Sequence, residues 1–226
     1  MLKLAVVICL KDLRLILTRG AGLVQALLLG LLLVFLFSLS LDAGERLAPQ
    51  AAATMFWLAS AFCQVLVFNM LYALEEENGA RLGLLVLPAP SQGIWLGKGL
   101  AGLLLLICAQ AVFLPAAFVF LGQNPGAEPG PALAGLLLTD AGMAASGSLL
   151  GALSVGRAGR ESLLSIVLFP LMIPLLLAGI QLGTAGFGPA LPPGAAQGWL
   201  GLAAAFDAVF LAAGLILFPF VYTGED

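Results

Sequence analysis

From Gly20 to Leu41 the chain carries no charged side chain, and five further stretches of similar length, at 50–74, 99–121, 132–155, 162–182 and 198–221, hold only Asp140 and Asp207 between them. Such runs constrain the fold more than any motif does. A helix needs about 20 apolar residues to cross the hydrocarbon of a bilayer, and it satisfies its own backbone hydrogen bonds in doing so. Strands of a membrane barrel need only about 10. With 62% of 226 residues hydrophobic and 9% charged, the chain has more apolar surface than a water-soluble domain of this size can bury. The sequence therefore predicts an all-α polytopic membrane protein, a single transmembrane domain over 1–226 with six spanning helices.

Basic residues fall almost entirely on one side of these spans. Lys3, Lys11, Arg14, Arg19, Arg81, Lys98, Arg157 and Arg160 share one side, and Arg46 is on the other. The positive-inside rule then places both termini in the cytoplasm. The net charge of −3 carries little topological weight and points to no nucleic acid partner.

Residues 1–19 differ from the spans. The apolar run LAVVICL is broken at once by Lys11, Asp12 and Arg14, without the small-residue cleavage site of a signal peptide. At helical spacing Lys3, Lys11, Arg14 and Thr18 form one stripe, and Leu2, Val6, Cys9, Leu13 and Ile16 lie opposite. This describes an amphipathic helix on the inner membrane surface. Val7 interrupts the polar stripe, so an irregular lead-in to the first span is the alternative.

The chain has no histidine, which removes histidine-ligated metal or haem, a Ser-His-Asp triad and a histidine proton relay. Cys9, Cys63 and Cys108 are scattered and read as packing residues. Gly93-Ile-Trp-Leu-Gly97-Lys98-Gly99 is too short between its glycines for a phosphate loop and lacks the Ser or Thr after the lysine. Lys98 reads instead as an interfacial anchor beside Trp95. No catalytic residue, metal site or directly bound cofactor is assigned, and any ATP belongs to another subunit.

The polar interruption LEEENGARLGLLVLPAP, from Leu74 to Pro90, stands out in this apolar context. Glu75, Glu76 and Glu77 finish a helix that starts near Pro49, where the helix dipole disfavours each carboxylate by roughly 0.3–1 kcal/mol. Asn78-Gly79 suits a left-handed cap, and Ala80 to Leu87 suits a short apolar turn or helix closed by Pro88. Arg81 stands four residues after Glu77, an ion-pair spacing if the helix continues. The glutamates either solvate a span end or mark a docking element. Replacing Glu75 or Glu77 by glutamine is expected to be milder than replacing Gly79 by valine.

An amphipathic start, six spans, the acidic turn with Leu74, Glu75, Glu77 and Gly79, a leucine run through Gly83, Leu84 and Leu85 to Pro88, and the Ile94, Leu96, Gly97, Lys98 start of the third span resemble the permease subunits of ABC type-2 exporters. Within that group the chain is similar to the haem exporter B family of cytochrome c maturation. The fifth span, with Pro170 and Pro174 after the loop Arg157 to Glu161, matches as well. Where the family carries a further glutamate before the glycine aligned with Gly83, this chain has Leu82.

The resemblance implies a permease homodimer in the bacterial inner membrane, driven by two copies of a cytoplasmic ABC ATPase, with haem as substrate. It also implies a haem-handling membrane subunit and a periplasmic haem chaperone as partners. The segment 75–98 would couple permease to ATPase, through Glu75, Glu76, Glu77, Asn78, Gly79, Arg81, Leu82, Leu85 and Pro88.

Asp140 and Asp207 keep a second class of function open. A lone carboxylate inside a span costs roughly 2.5–3.5 kcal/mol on insertion scales and faces protein or water. The two are either polar groups of an ion-coupled carrier or substrate path, or neutral or hydrogen-bonded packing groups. A non-transporting assembly subunit is the third possibility. Gly147 and Gly151 have the small-residue spacing of close helix contacts. The uncharged segment 183–197, with Pro189, Pro192 and Pro193, reads either as a re-entrant element or as an interfacial loop.

Overall fold

The computed structural model describes residues 1–42, 46–77, 79, 83–84, 86, 90–153 and 160–223, with backbone alone at 21, 77, 160–165 and 223. Seven long helices run through them: α1 (Leu2–Arg19), α2 (Ala21–Leu39), α3 (Pro49–Glu77), α4 (Gln92–Phe120), α5 (Pro129–Leu153), α6 (Arg160–Phe187) and α7 (Ala195–Thr223). α2 to α7 are each long and apolar enough to cross a membrane. Pro115, Pro170, Pro174 and Pro219 lie within these helices, which neighbouring helices make tolerable in a bundle. α3 and α5 form the buried centre, and α2 and α7 lie at the periphery.

Two boundaries differ from the sequence reading. The third span begins at Gln92 rather than 99, so residues 92–98 are the first turns of α4 and not part of a connection. Gly93 and Gly97 look like helix breakers in the sequence, but here they are contact points for α1. A Cβ at Gly97 would lie 2.7 Å from the Ala5 carbonyl oxygen and one at Gly93 2.9 Å from Leu4. The segment 183–197 is divided between two helices, as α6 runs on to Phe187 and α7 starts at Ala195. Its lack of charge suits its packing, because this stretch closes the end of the bundle. Gly126 N–H donates to the Gly186 carbonyl at 2.8 Å, Ala127 N–H to that of Gly188 at 3.1 Å, and Phe187 packs edge-on against Phe118.

α1 has three sides rather than two. Ala5, Ile8, Cys9, Asp12 and Ile16 are buried against the bundle. Leu2, Val6, Leu10 and Leu17 form an exposed apolar strip, and Lys3, Arg14 and Thr18 are exposed beside it. Cys9 and Ile16, expected with the outward apolar set, thus face protein. The Gly147 and Gly151 spacing on α5 receives the Phe68 and Tyr72 rings of α3.

Candidate functional site: a buried charge cluster at the acidic turn

α3 ends where the acidic turn begins, and Glu75 does not point into solvent there. It is 4% exposed. Its Oε1 lies 2.9 Å from Lys98 Nζ on α4 and 3.0 Å from Lys11 Nζ on α1. Its Oε2 accepts a hydrogen bond from the Tyr222 hydroxyl on α7 at 3.2 Å. Four helices therefore meet at one carboxylate. The lysines offset the unfavourable dipole at the end of α3.

Lys98 is the centre of the cluster and is fully buried. An ammonium has three donors, and each finds an acceptor: Glu75 Oε1 at 2.9 Å, Asp12 Oδ2 at 3.3 Å and the Leu71 carbonyl at 2.8 Å. Its Nζ also stands 4.6 Å from the centre of the Tyr72 ring, a cation-π distance. Lys11 Nζ pairs with Asp12 Oδ1 at 3.0 Å as well as with Glu75. Two carboxylates and two ammonium groups balance, as burial requires. Lys98 is thus no anchor among headgroups.

Tyr72 extends the cluster into the bundle. Its hydroxyl donates to the Ser148 carbonyl at 2.6 Å and stands 3.1 Å from Ser148 Oγ, which donates in turn to the Trp95 carbonyl at 2.9 Å. α3, α5 and α4 are joined through these bonds. Burial lowers the Lys11 pKa, but Asp12 and Glu75 outweigh it and the net shift is upward. Burial, with Asp12 adding to it, raises the Cys9 thiol.

The remaining residues of the turn are placed in part. Gly79 adopts φ +63, the left-handed conformation of a helix cap, and its N–H reaches the Glu76 carbonyl at 3.0 Å. Glu76 is half-buried, Gly83 and Leu84 are helical, and Val86 is exposed in a turn. Asn78, Arg81, Leu82, Leu85 and Pro88, and the Glu77 side chain, lie outside the described residues.

Asp140 and Asp207 are both buried but do not form one site. Asp140 accepts from Gln110 Nε2 at 2.7 Å. Asp207 reaches α5 two residues further on, where a Cβ at Gly142 would overlap its Oδ1. Residues two apart on a helix face different ways.

The CcmB protein family matches residues 3–223. The chain belongs to the CcmB family. Curated relatives include the heme exporter protein B of Paracoccus denitrificans, 28% identical over 183 residues that cover 80% of this chain and 84% of the relative. The heme exporter protein B of Rhodobacter capsulatus is 28% identical over 182 residues, 76% of this chain and 78% of the relative. That of Pseudomonas aeruginosa is 27% identical over 169 residues, 75% of each chain. As a CcmB family member the chain is a six-span membrane permease and a transporter subunit.

Sequence reasoning missed Asp12, Lys11, Tyr72 and Tyr222 in this CcmB cluster. One signal was present: Asp12 falls in the same helical stripe as Ala5, Ile8, Cys9 and Ile16, where an acid is out of place. Nothing local names its partner, since Lys98 is 86 residues away.

Proposed function

We propose that this chain is the permease of an ATP-driven haem exporter in cytochrome c maturation, working as a homodimer with two copies of a separate cytoplasmic ATPase. Family membership and the three relatives called heme exporter protein B support the transport role and the substrate. We place it in the bacterial inner membrane with both termini inside, beside a haem-handling membrane subunit that loads a periplasmic chaperone. A haem iron finds no imidazole ligand in this chain.

The observation that carries the coupling step is the arrangement around Glu75. The acidic turn, Glu75 to Pro88, is the docking element for the ATPase, and Glu75 is its root. A displacement of the turn reaches α4 through Lys98, α1 through Lys11 and α7 through Tyr222. Packed helices joined by ion pairs move as bodies rather than deform. One push on the turn is thus shared by four helices at once.

The test is gentle purification with identification of associated subunits, followed by ATP-dependent delivery of haem to the periplasmic acceptor. An ATPase with Walker motifs should co-purify, and delivery should need its hydrolysis. Substrate movement that follows an ion gradient without ATP would favour the carrier reading. Chaperone release without haem movement would favour the assembly subunit.

A further inference from the structure

Gln110 on α4 and Asp140 on α5 meet deep inside the spanning bundle. Gln110 Nε2 donates to Asp140 Oδ1 at 2.7 Å and stands 3.3 Å from Ser60 Oγ on α3. The Ser60 hydroxyl sends its own hydrogen to the Phe56 carbonyl at 2.9 Å. Two oxygens are left over, Gln110 Oε1 and Asp140 Oδ2, both buried and without a donor. They belong to the same two side chains that already share a hydrogen bond.

Donor counting decides what this pair is. An ionised aspartate only accepts, so it would leave both oxygens unsatisfied and place a full charge in the span. Protonation of Oδ2 supplies a donor at the pair itself; the Thr139 hydroxyl is buried nearby but makes no hydrogen bond to either oxygen. A carboxylic acid facing a primary amide then has a complementary pattern, with N–H to one oxygen and O–H back to the amide oxygen.

Among the described residues the surroundings offer no competing charge. α3 presents Ser60 and Gln64, α5 presents Thr139, and α6 approaches Thr139 through Gly179. Asp207 of α7 lies against Gly142, on another face of α5. Among the described residues Asp140 has no ion pair, and Lys98 is committed to Asp12 and Glu75.

We propose that Asp140 is a proton-binding site in the membrane core, held as the neutral acid with its Oδ2 proton donated to Gln110 Oε1. The proton stays in place through the transport cycle and fastens α4 to α5, with Ser60 of α3 as the third member. The site is a fixed lock and carries no ion. It is independent of the proposed coupling turn and of haem as substrate.

The test is infrared spectroscopy of the intact complex in bilayers, with carboxyl-labelled aspartate. A protonated-acid carbonyl band should be present at neutral pH and should lose intensity in Asp140→Asn. In Gln110→Leu the band should move to higher frequency, because the acid loses its amide partner. Raising the pH from mildly acidic to mildly alkaline should leave the wild-type band unchanged, a measurement that needs no variant. An acid band unaffected by Asp140→Asn, a frequency unchanged in Gln110→Leu, or loss of the Asp140 band across neutral pH would each overturn the proposal.

Discussion

Glu75 and Lys98 lie 23 residues apart in sequence, on either side of the acidic turn, and their charged atoms stand 2.9 Å from each other with both side chains buried. The turn therefore leaves the bundle and returns to it at an ion pair. Removing one partner of such a pair leaves an uncompensated buried charge, at a cost of about 3–5 kcal/mol. Lys98→Met should lower the thermal stability of purified permease by that order, and adding Glu75→Gln should recover part of it. Additive losses in that double-mutant cycle would mean the pair is not coupled.

The same geometry separates the glutamates, which the sequence treats alike. Glu75→Gln disturbs three partners and should reduce stability and coupling together, and Tyr222→Phe should show a milder version worth about 1.5–3 kcal/mol or less. Gly79→Val acts differently, because its site has open space but φ +63. Strain of roughly 1–2 kcal/mol should distort the turn alone. Permease abundance should stay normal while ATPase recovered per permease falls. Full ATPase association in Gly79→Val would remove the turn from the coupling path.

Asp140→Asn should assemble normally and lose little activity, since an asparagine amide can still pair with Gln110. Asp207→Asn should behave similarly. Gly142→Ala should be worse than either, as its methyl overlaps Asp207 Oδ1 and meets Leu175 at 2.8 Å, and overpacking of this kind costs about 1–3 kcal/mol. Thermal melts and transport assays on the three variants check the order. Complete loss of activity in a normally assembled Asp140→Asn would favour an ion-coupled carrier.

The raised pKa of Lys11 gives the cluster an alkaline limit. Its stabilising contribution is complete below the ordinary lysine value and disappears as the pH rises through the higher folded-state value. The stability gap between wild type and Lys11→Met should stay constant through neutral pH and close only above the ordinary lysine range. A gap that already closes near neutrality would contradict the pairing.

Topology is tested by labelling single cysteines in intact cells. Gly126 is a poor position, because a side chain there would overlap the Ala185 carbonyl. Asn124 and Ala190 are exposed at the same end of the bundle. Cysteines there should react from outside, and one at Gln92 should need permeabilised cells. External reaction at Gln92 would invert the orientation.

The spans were legible because lipid imposes a condition on every residue of a run, so composition alone reports it. Helix ends were less so, since Gly93 and Gly97 owe their identity to α1 and not to their own helix. The acidic turn was visible as an interruption, and the left-handed Gly79 followed from local chemistry. The partners of Glu75 were not visible, because Lys11 and Tyr222 lie 64 and 147 residues away. Gln110 went unnoticed because a neutral amide carries no charge to mark it in a leucine-rich span. Its meaning appears only beside Asp140.

Lys98 also has a consequence for biogenesis. A ribosome makes Lys11 and Asp12 first, then Glu75, and only later Lys98, the second cation that both acids share. Until α4 emerges, α1 has neither Gly97 to lie on nor a buried charge to meet, and α3 ends in an acid with Lys11 alone as its partner. A nascent chain halted before Lys98 therefore holds the two carboxylates of the cluster against one ammonium group. The arrival of Lys98 brings the charges of the cluster into balance and joins α1, α3 and α4.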